Sequence, residues 1–137
     1  MIKLLDILKE NNNFKNQLED IANIVYKKYP EINKGLCFDF AYLIGKNLNI
    51  KEAVLIYNQE EDKDFGEPIH TSLIVDNMFY DANGFQTFNE LKNNWRGDFD
   101  TPFIEKIKIY ELEDYLKNNK SFTEFLNHVV NNYVSKN

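Results

Sequence analysis

Apolar residues first recur along this chain at helical spacing. Leu4, Leu5, Ile7 and Leu8 form a short stripe, and a second begins after Asn11-Asn12-Asn13, where Phe14, Leu18, Ile21, Ala22, Val25 and Tyr26 fall three and four residues apart. Pro30 sets the end of that helix, because the residue before a proline is pushed out of the helical region. After the turn at 31–35, Cys37, Phe40, Ala41, Ile44 and Leu48 repeat with the same period, which places Cys37 in the first turn of a core-facing helix. The pattern then changes. Residues 53–57 are an apolar run of strand length, 58–68 are polar and acidic, and 69–75 and 78–82 read as two strands. Asp76-Asn77 between them are residue types that tolerate positive φ, so the spacing predicts a hairpin closed by a two-residue turn.

Asn83-Gly84 is expected to end the hairpin, and Thr87 three residues before Glu90 marks a capped helix start. Residues 96–102 read as a loop. Residues 103–110 alternate as a strand, with Ile107 and Ile109 on one face and Lys106 and Lys108 on the other. Helices are expected over 111–119 and 121–135, the second opened by a Ser121-x-x-Glu124 capping box. Neither a repeat nor a linker divides the chain, so 1–137 reads as a single domain. Its expected class is α+β, an antiparallel sheet packed against helices. A chain of 137 residues buries roughly two-thirds of its unfolded surface around one core.

Charge and composition narrow the partners. The net charge of −6, with lysines scattered among acids, argues against nucleic-acid binding. The first ten residues lack the pattern of a signal peptide and no apolar run approaches membrane-spanning length, so a cytoplasmic protein without membrane attachment is expected. One cysteine cannot form a disulfide within the chain, and no histidine or cysteine cluster has metal-ligand spacing, so neither metal nor cofactor is expected. The run Glu60-Glu61-Asp62-x-Asp64 lacks the glycine and ligand spacing of a calcium loop and reads as a solvated loop. Composition leaves the oligomeric state open.

The candidate chemistry lies in Cys37, His70 and Asp81, in that order. A thiol attacks as its thiolate, and an ordinary pKa of about 8.5 leaves little of that form at neutrality. A helix N-terminus and an imidazolium both stabilise the anion. With Val75 opposite Met78, Ser72 lies across from Asp81 and His70 across from Asn83, so His70 and Asp81 become diagonal neighbours on one face, about 7–8 Å apart at the backbone. Asp81 could then fix the tautomer of the imidazole. The backbone N–H of Cys37 is one candidate oxyanion donor; Asn33 and Gln86 are candidates for a second.

The helix start Gly35-x-Cys37-x-x-Phe40-Ala41-x-x-Ile44, then His70 leading a strand, then Tyr80-Asp81-Ala82-Asn83-Gly84, resembles the papain-like cysteine enzymes, most of all their transglutaminase-like branch. The resemblance spans about 33–84; it departs at Ser72, where that branch usually carries an aromatic residue. It implies a papain-like core with added N- and C-terminal helices, Cys37 as nucleophile, His70 as base and Asp81 as orienter. The implied activity is acyl transfer on a protein or peptide-like substrate: hydrolysis of an amide, peptide or isopeptide bond, or deamidation or transamidation.

Each of these residues also has a structural reading. Cysteine is among the most buried residue types, a strand histidine is usually structural, and an aspartate near a turn often caps backbone amides. The rival reading is therefore a noncatalytic binding or inhibitory domain on the same scaffold, an accessory protein of a mobile element or a regulatory partner. Its sign would be a buried, unreactive Cys37.

Overall fold

The computed structural model describes residues 4–58, 66–96 and 102–134, with side chains from residue 13 to residue 133 within those spans. The chain opens with one helix, α1 (Leu4–Lys28), where the periodicity suggested two. Three asparagines each cost well under about 1 kcal/mol in a helix and none lacks an N–H, so the hydrogen-bond ladder runs through them. A 3₁₀ turn (Ile32–Lys34) follows, and Gly35 at φ 131° makes the entry to α2 (Cys37–Leu48). That φ lies where side chains are strained, and a Cβ there would meet Lys117 Cε at 3.1 Å. Asn49, at φ 59°, caps the far end by donating its N–H to Gly45 O.

The strands are β1 (Glu52–Tyr57), β2 (His70–Val75), β3 (Met78–Asp81), β4 (Gly84–Gln86) and β5 (Phe103–Lys108). They form an antiparallel sheet in the order β4-β3-β2-β1-β5. Asp76 and Asn77 take φ values of 50° and 64°, and Val75 pairs with Met78, the turn and register expected from the sequence. Gly84 does not end the pairing. At φ 95° it turns the chain into β4, a strand the residue pattern did not announce because three residues are too few to show a period.

Beyond β4, α3 (Phe88–Asn94) begins at the expected capping box: Glu90 N donates to Thr87 Oγ1 and Thr87 N to Glu90 Oε1. Two expectations near the C-terminus are corrected. The strand over 103–110 stops at Lys108, and the helix over 111–119 is instead a 3₁₀ segment, Ile109–Tyr115, entered where Glu111 accepts the Lys108 N–H at 2.8 Å. It cannot extend, because buried Asp39 captures the N–H groups of Lys117 and Asn118, each at 2.9 Å. The last helix, α4 (Lys120–Val134), is capped by Asn119, whose Oδ1 accepts from Phe122 N at 3.0 Å. Ser121 thus lies inside the helix and its capping box does not form.

The sheet has two unlike faces. Leu55, Leu73 and Tyr80 pack beneath α1, α2 and α4 with Leu18, Ile21, Phe40, Ile44, Phe122 and Leu126. Val54, Ile56, Ile74, Phe79 and Ile104 face the other way and pack with Leu91 of α3 and Trp95. Asp39 ties α2 to the loop before α4, so Asp39→Ala leaves two N–H groups without their acceptor. The expected loss is about 2–3 kcal/mol in urea unfolding, since bonds to a charged group exceed neutral ones. A change within about 0.5 kcal/mol would show that water replaces the carboxylate freely.

Candidate functional site

Cys37 is the first residue of α2, as its position in the helical stripe predicts. Its side chain is 2% exposed and belongs to the helix-side core. Burial pushes the thiol up to about 12. The backbone N–H groups of Thr71, Phe38 and Gly35 oppose this, and the negative charge of Asp81 adds to it. The sulfur therefore rests as a thiol at neutral pH, with the amide of Thr71 on β2 as its strongest hydrogen-bond donor.

His70 and Asp81 meet as the register requires. The imidazole Nε2 lies 2.8 Å from Asp81 Oδ2, with both side chains closed to solvent. A carboxylate only accepts, so Nε2 carries a proton and donates it. The same carboxylate accepts from Ser72 Oγ at 2.5 Å, from Asn83 N at 2.8 Å and from Gln86 Nε2 at 3.0 Å to each oxygen. Asn94 Nδ2 in turn donates to Gln86 Oε1 at 2.8 Å. Burial would raise the Asp81 pKa, but the hydrogen bond and charge of His70, with Ser72 and Asn83, hold it below the usual carboxylate range.

Trp95 completes this cluster. Its ring stacks on His70 with centroids 3.9 Å apart and planes 15° from parallel. Two nitrogens of the stacked rings, His70 Nδ1 and Trp95 Nε1, are buried without a hydrogen-bond partner among the described residues.

The cysteine and the His70–Asp81 pair lie on different sides of the sheet. His70 pairs with Ile56 and Ser72 with Val54, so all four share the face that carries Leu91 and Trp95, while Cys37 belongs with Leu55, Leu73 and Tyr80. The seam between them is the backbone at Thr71, one residue from His70, and no hydrogen bond joins the thiol to the imidazole. The structure thus brings His70 and Asp81 together and sets Cys37 against the neighbouring amide.

The two oxyanion candidates have other bonds. Gln86 spends its amide on Asp81, where it orients the carboxylate and does not reach Cys37's side of the sheet as a free donor. Asn33 donates to Asn83 Oδ1 at 3.3 Å, tying the 3₁₀ turn before α2 to the β3–β4 turn. Sequence reasoning gives Trp95 no role, because its stacking on His70 joins positions distant in sequence and leaves no local signal. Ser72, noted only as a departure from a pattern, is a direct donor to Asp81. His128 lies on the exposed face of α4 next to Asn132, away from this cluster.

Among the described residues no three His, Cys, Asp or Glu side chains converge as metal ligands, and no helix is long and apolar enough to cross a membrane. The acidic run at 60–64 lies outside the described residues. Comparison of the chain with protein-family models, with curated proteins and with solved structures finds no match.

Proposed function

We propose that this chain is a small cysteine-dependent acyl-transfer enzyme, similar in its Cys-His-Asp order to the papain-like superfamily and its transglutaminase-like branch. The observation that supports it best is the buried His70–Asp81 bond, which commits Nε2 and leaves Nδ1 as the imidazole nitrogen without a hydrogen-bond partner among the described residues, one residue from the amide that holds the Cys37 sulfur. In this reading Cys37 attacks an acyl carbon as its proton passes to His70 Nδ1, forming a C–S bond. The tetrahedral intermediate then collapses, the C–N bond breaks, and the amine leaves with the proton from Nδ1. Water cleaves the thioester to a carboxylate; a primary amine in its place gives transamidation. Because the resting sulfur is a protonated thiol, deprotonation accompanies substrate binding and no stored ion pair is involved. The substrate must therefore bring the thiol and imidazole together across the seam at Thr71.

The test is covalent. The native chain is incubated with an activated ester, a peptide amide and a glutamine side-chain amide, and the intact mass and the Cys37 peptide are followed. An acyl group on Cys37 that disappears in His70→Ala is the expected result. If no donor acylates the folded chain while unfolded Cys37 reacts, the enzyme reading fails.

One observation favours the second reading, a noncatalytic binding or inhibitory domain: Cys37 is 2% exposed and His70 0% exposed. There the His70–Asp81 network is a polar core that fixes the β2–β3–β4 register. The same acylation experiment separates the two.

A further inference from the structure

At the C-terminal end of α2 the fold leaves a cleft of about 460 Å³ between the last turns of that helix, residues 49–51 and the start of the 3₁₀ segment. That volume lies within the roughly 300–1,000 Å³ of small-molecule sites. Backbone bonds fix its floor: Ile50 N donates to Gly45 O at 2.9 Å and Ile109 N to Lys51 O at 3.0 Å. Gly45 lets Ile109 pack directly on the helix, since a Cβ there would meet Ile109 Cδ1 at 3.0 Å. Ile50, Ile109 and the rings of Tyr42 and Tyr110 supply the apolar lining. The charged groups are unequally committed. Glu113, the one carboxylate among the described lining residues, accepts from Tyr42 Oη at 2.8 Å. Against it stand Lys46, Lys51 and Lys108, all exposed, a local excess of positive charge in a chain whose net charge is −6. Lys51 Nζ has no ion-pair or hydrogen-bond partner among the described residues, and Lys46 Nζ lies 5.5 Å from the centroid of the Tyr42 ring. Lys108 meets Glu52 at 3.3 Å in an exposed pair, of a kind that contributes little.

We infer that this cleft binds a small aromatic phosphomonoester, its ring on the apolar lining beside Tyr42 and Tyr110 and its phosphate at Lys46, Lys51 and Lys108. A ligand that completes the cleft must bring what the cleft lacks, which is negative charge and hydrogen-bond acceptors, on a body that can cover apolar surface. Each lysine is a mobile point charge with three N–H donors, which suits the three terminal oxygens of a phosphomonoester dianion. A flat carboxylate is matched better by the forked donors of an arginine, and the chain's only arginine, Arg96, is not among the lining residues. The cleft lies at the opposite end of α2 from Cys37, about 18 Å along the helix axis at 1.5 Å per residue, so it stands or falls apart from the acyl-transfer reading.

The test follows the backbone amide resonances of Gly45, Ile109 and Tyr110 in the full chain by nuclear magnetic resonance. Phenyl phosphate, inorganic phosphate, benzyl alcohol and benzoate are titrated in turn, so that charge and ring are varied separately. Phenyl phosphate is expected to move these resonances saturably and to bind about tenfold more tightly than each of the other three, the effect of one lost interaction. Adenosine 5′-phosphate and a phosphotyrosine amide then distinguish the sources of this chemistry: preference for the first marks a free nucleotide-like ligand, and preference for the second a modified side chain of a partner. The double variant Lys46→Gln with Lys51→Gln, two exposed positions whose change the fold should tolerate, is expected to lose about tenfold in phenyl phosphate affinity and to leave benzyl alcohol unaffected. Tyr110→Ala should narrow the preference for phenyl phosphate over inorganic phosphate. No saturable shift, or an unchanged affinity in the double lysine variant, would overturn the inference. So would inorganic phosphate binding as tightly as phenyl phosphate, which would mean an adventitious ion only, and benzoate binding equally, which would mean any anion.

Discussion

Asp81→Ala is expected to cost about 3–5 kcal/mol of folding stability in guanidinium unfolding, the range for removing one partner from a buried charged network. Four groups lose their acceptor together: His70 Nε2, Ser72 Oγ, Asn83 N and the Gln86 amide. His70, stacked on Trp95, and Ser72 and Gln86 are buried, so water does not readily replace the carboxylate at those three. Asp81→Asn keeps the shape but presents an amide N–H to some of those donors, so it should fall between wild type and alanine. The pH dependence follows from the depressed pKa of Asp81. A carboxyl whose folded pKa lies below its unfolded value of about 3.9 contributes its full stability above that value. The contribution declines as pH falls through the folded pKa, and Asp81→Asn should remove that part of the acid sensitivity. An alanine variant as stable as wild type would show that the network contributes nothing to the fold.

The second large effect concerns Cys37. Iodoacetamide should alkylate the folded chain at neutral pH about a thousandfold more slowly than the chain unfolded in denaturant, because a thiol raised to about 12 holds far less thiolate than one at about 8.5. The same shift makes stability depend on alkaline pH. The unfolded thiol ionises first, so the unfolded state holds fewer protons over this range and stability falls between about pH 8.5 and 12. Cys37→Ala should flatten that decline. Fast alkylation of the native protein below about pH 7 would mean a thiolate–imidazolium pair that this arrangement does not contain. Slow alkylation together with acylation by a true substrate would identify deprotonation as a step coupled to binding.

Much of this architecture was legible from local pattern. The start of α2 at Cys37, the Asp76-Asn77 turn and the Thr87 capping box each depend on a few adjacent residues whose backbone preferences have no strong competitor. The hairpin register follows from the turn, and with it the pairing of His70 and Asp81, because alternation along two strands leaves little freedom once the turn is set. The errors share a different cause. The end of the 3₁₀ segment Ile109–Tyr115, and with it the Asn119 cap of α4, is set by Asp39, far away in sequence, and β4 by the pairing of Phe79 with Gln86 across a glycine turn.

The sequence by itself determined which residue types stand at the helix start and on the hairpin, and that His70 and Asp81 share a face. Only the tertiary structure decided which side of the sheet that face lies on, and so that Cys37 packs opposite it, that Trp95 covers His70, and that Gln86 is bound to Asp81. The physical reason is that strand alternation fixes faces relative to one another, whereas the assignment of a face to α2 or to α3 depends on which apolar set each helix buries. That choice is made by the packing of the whole chain and by no short segment of it.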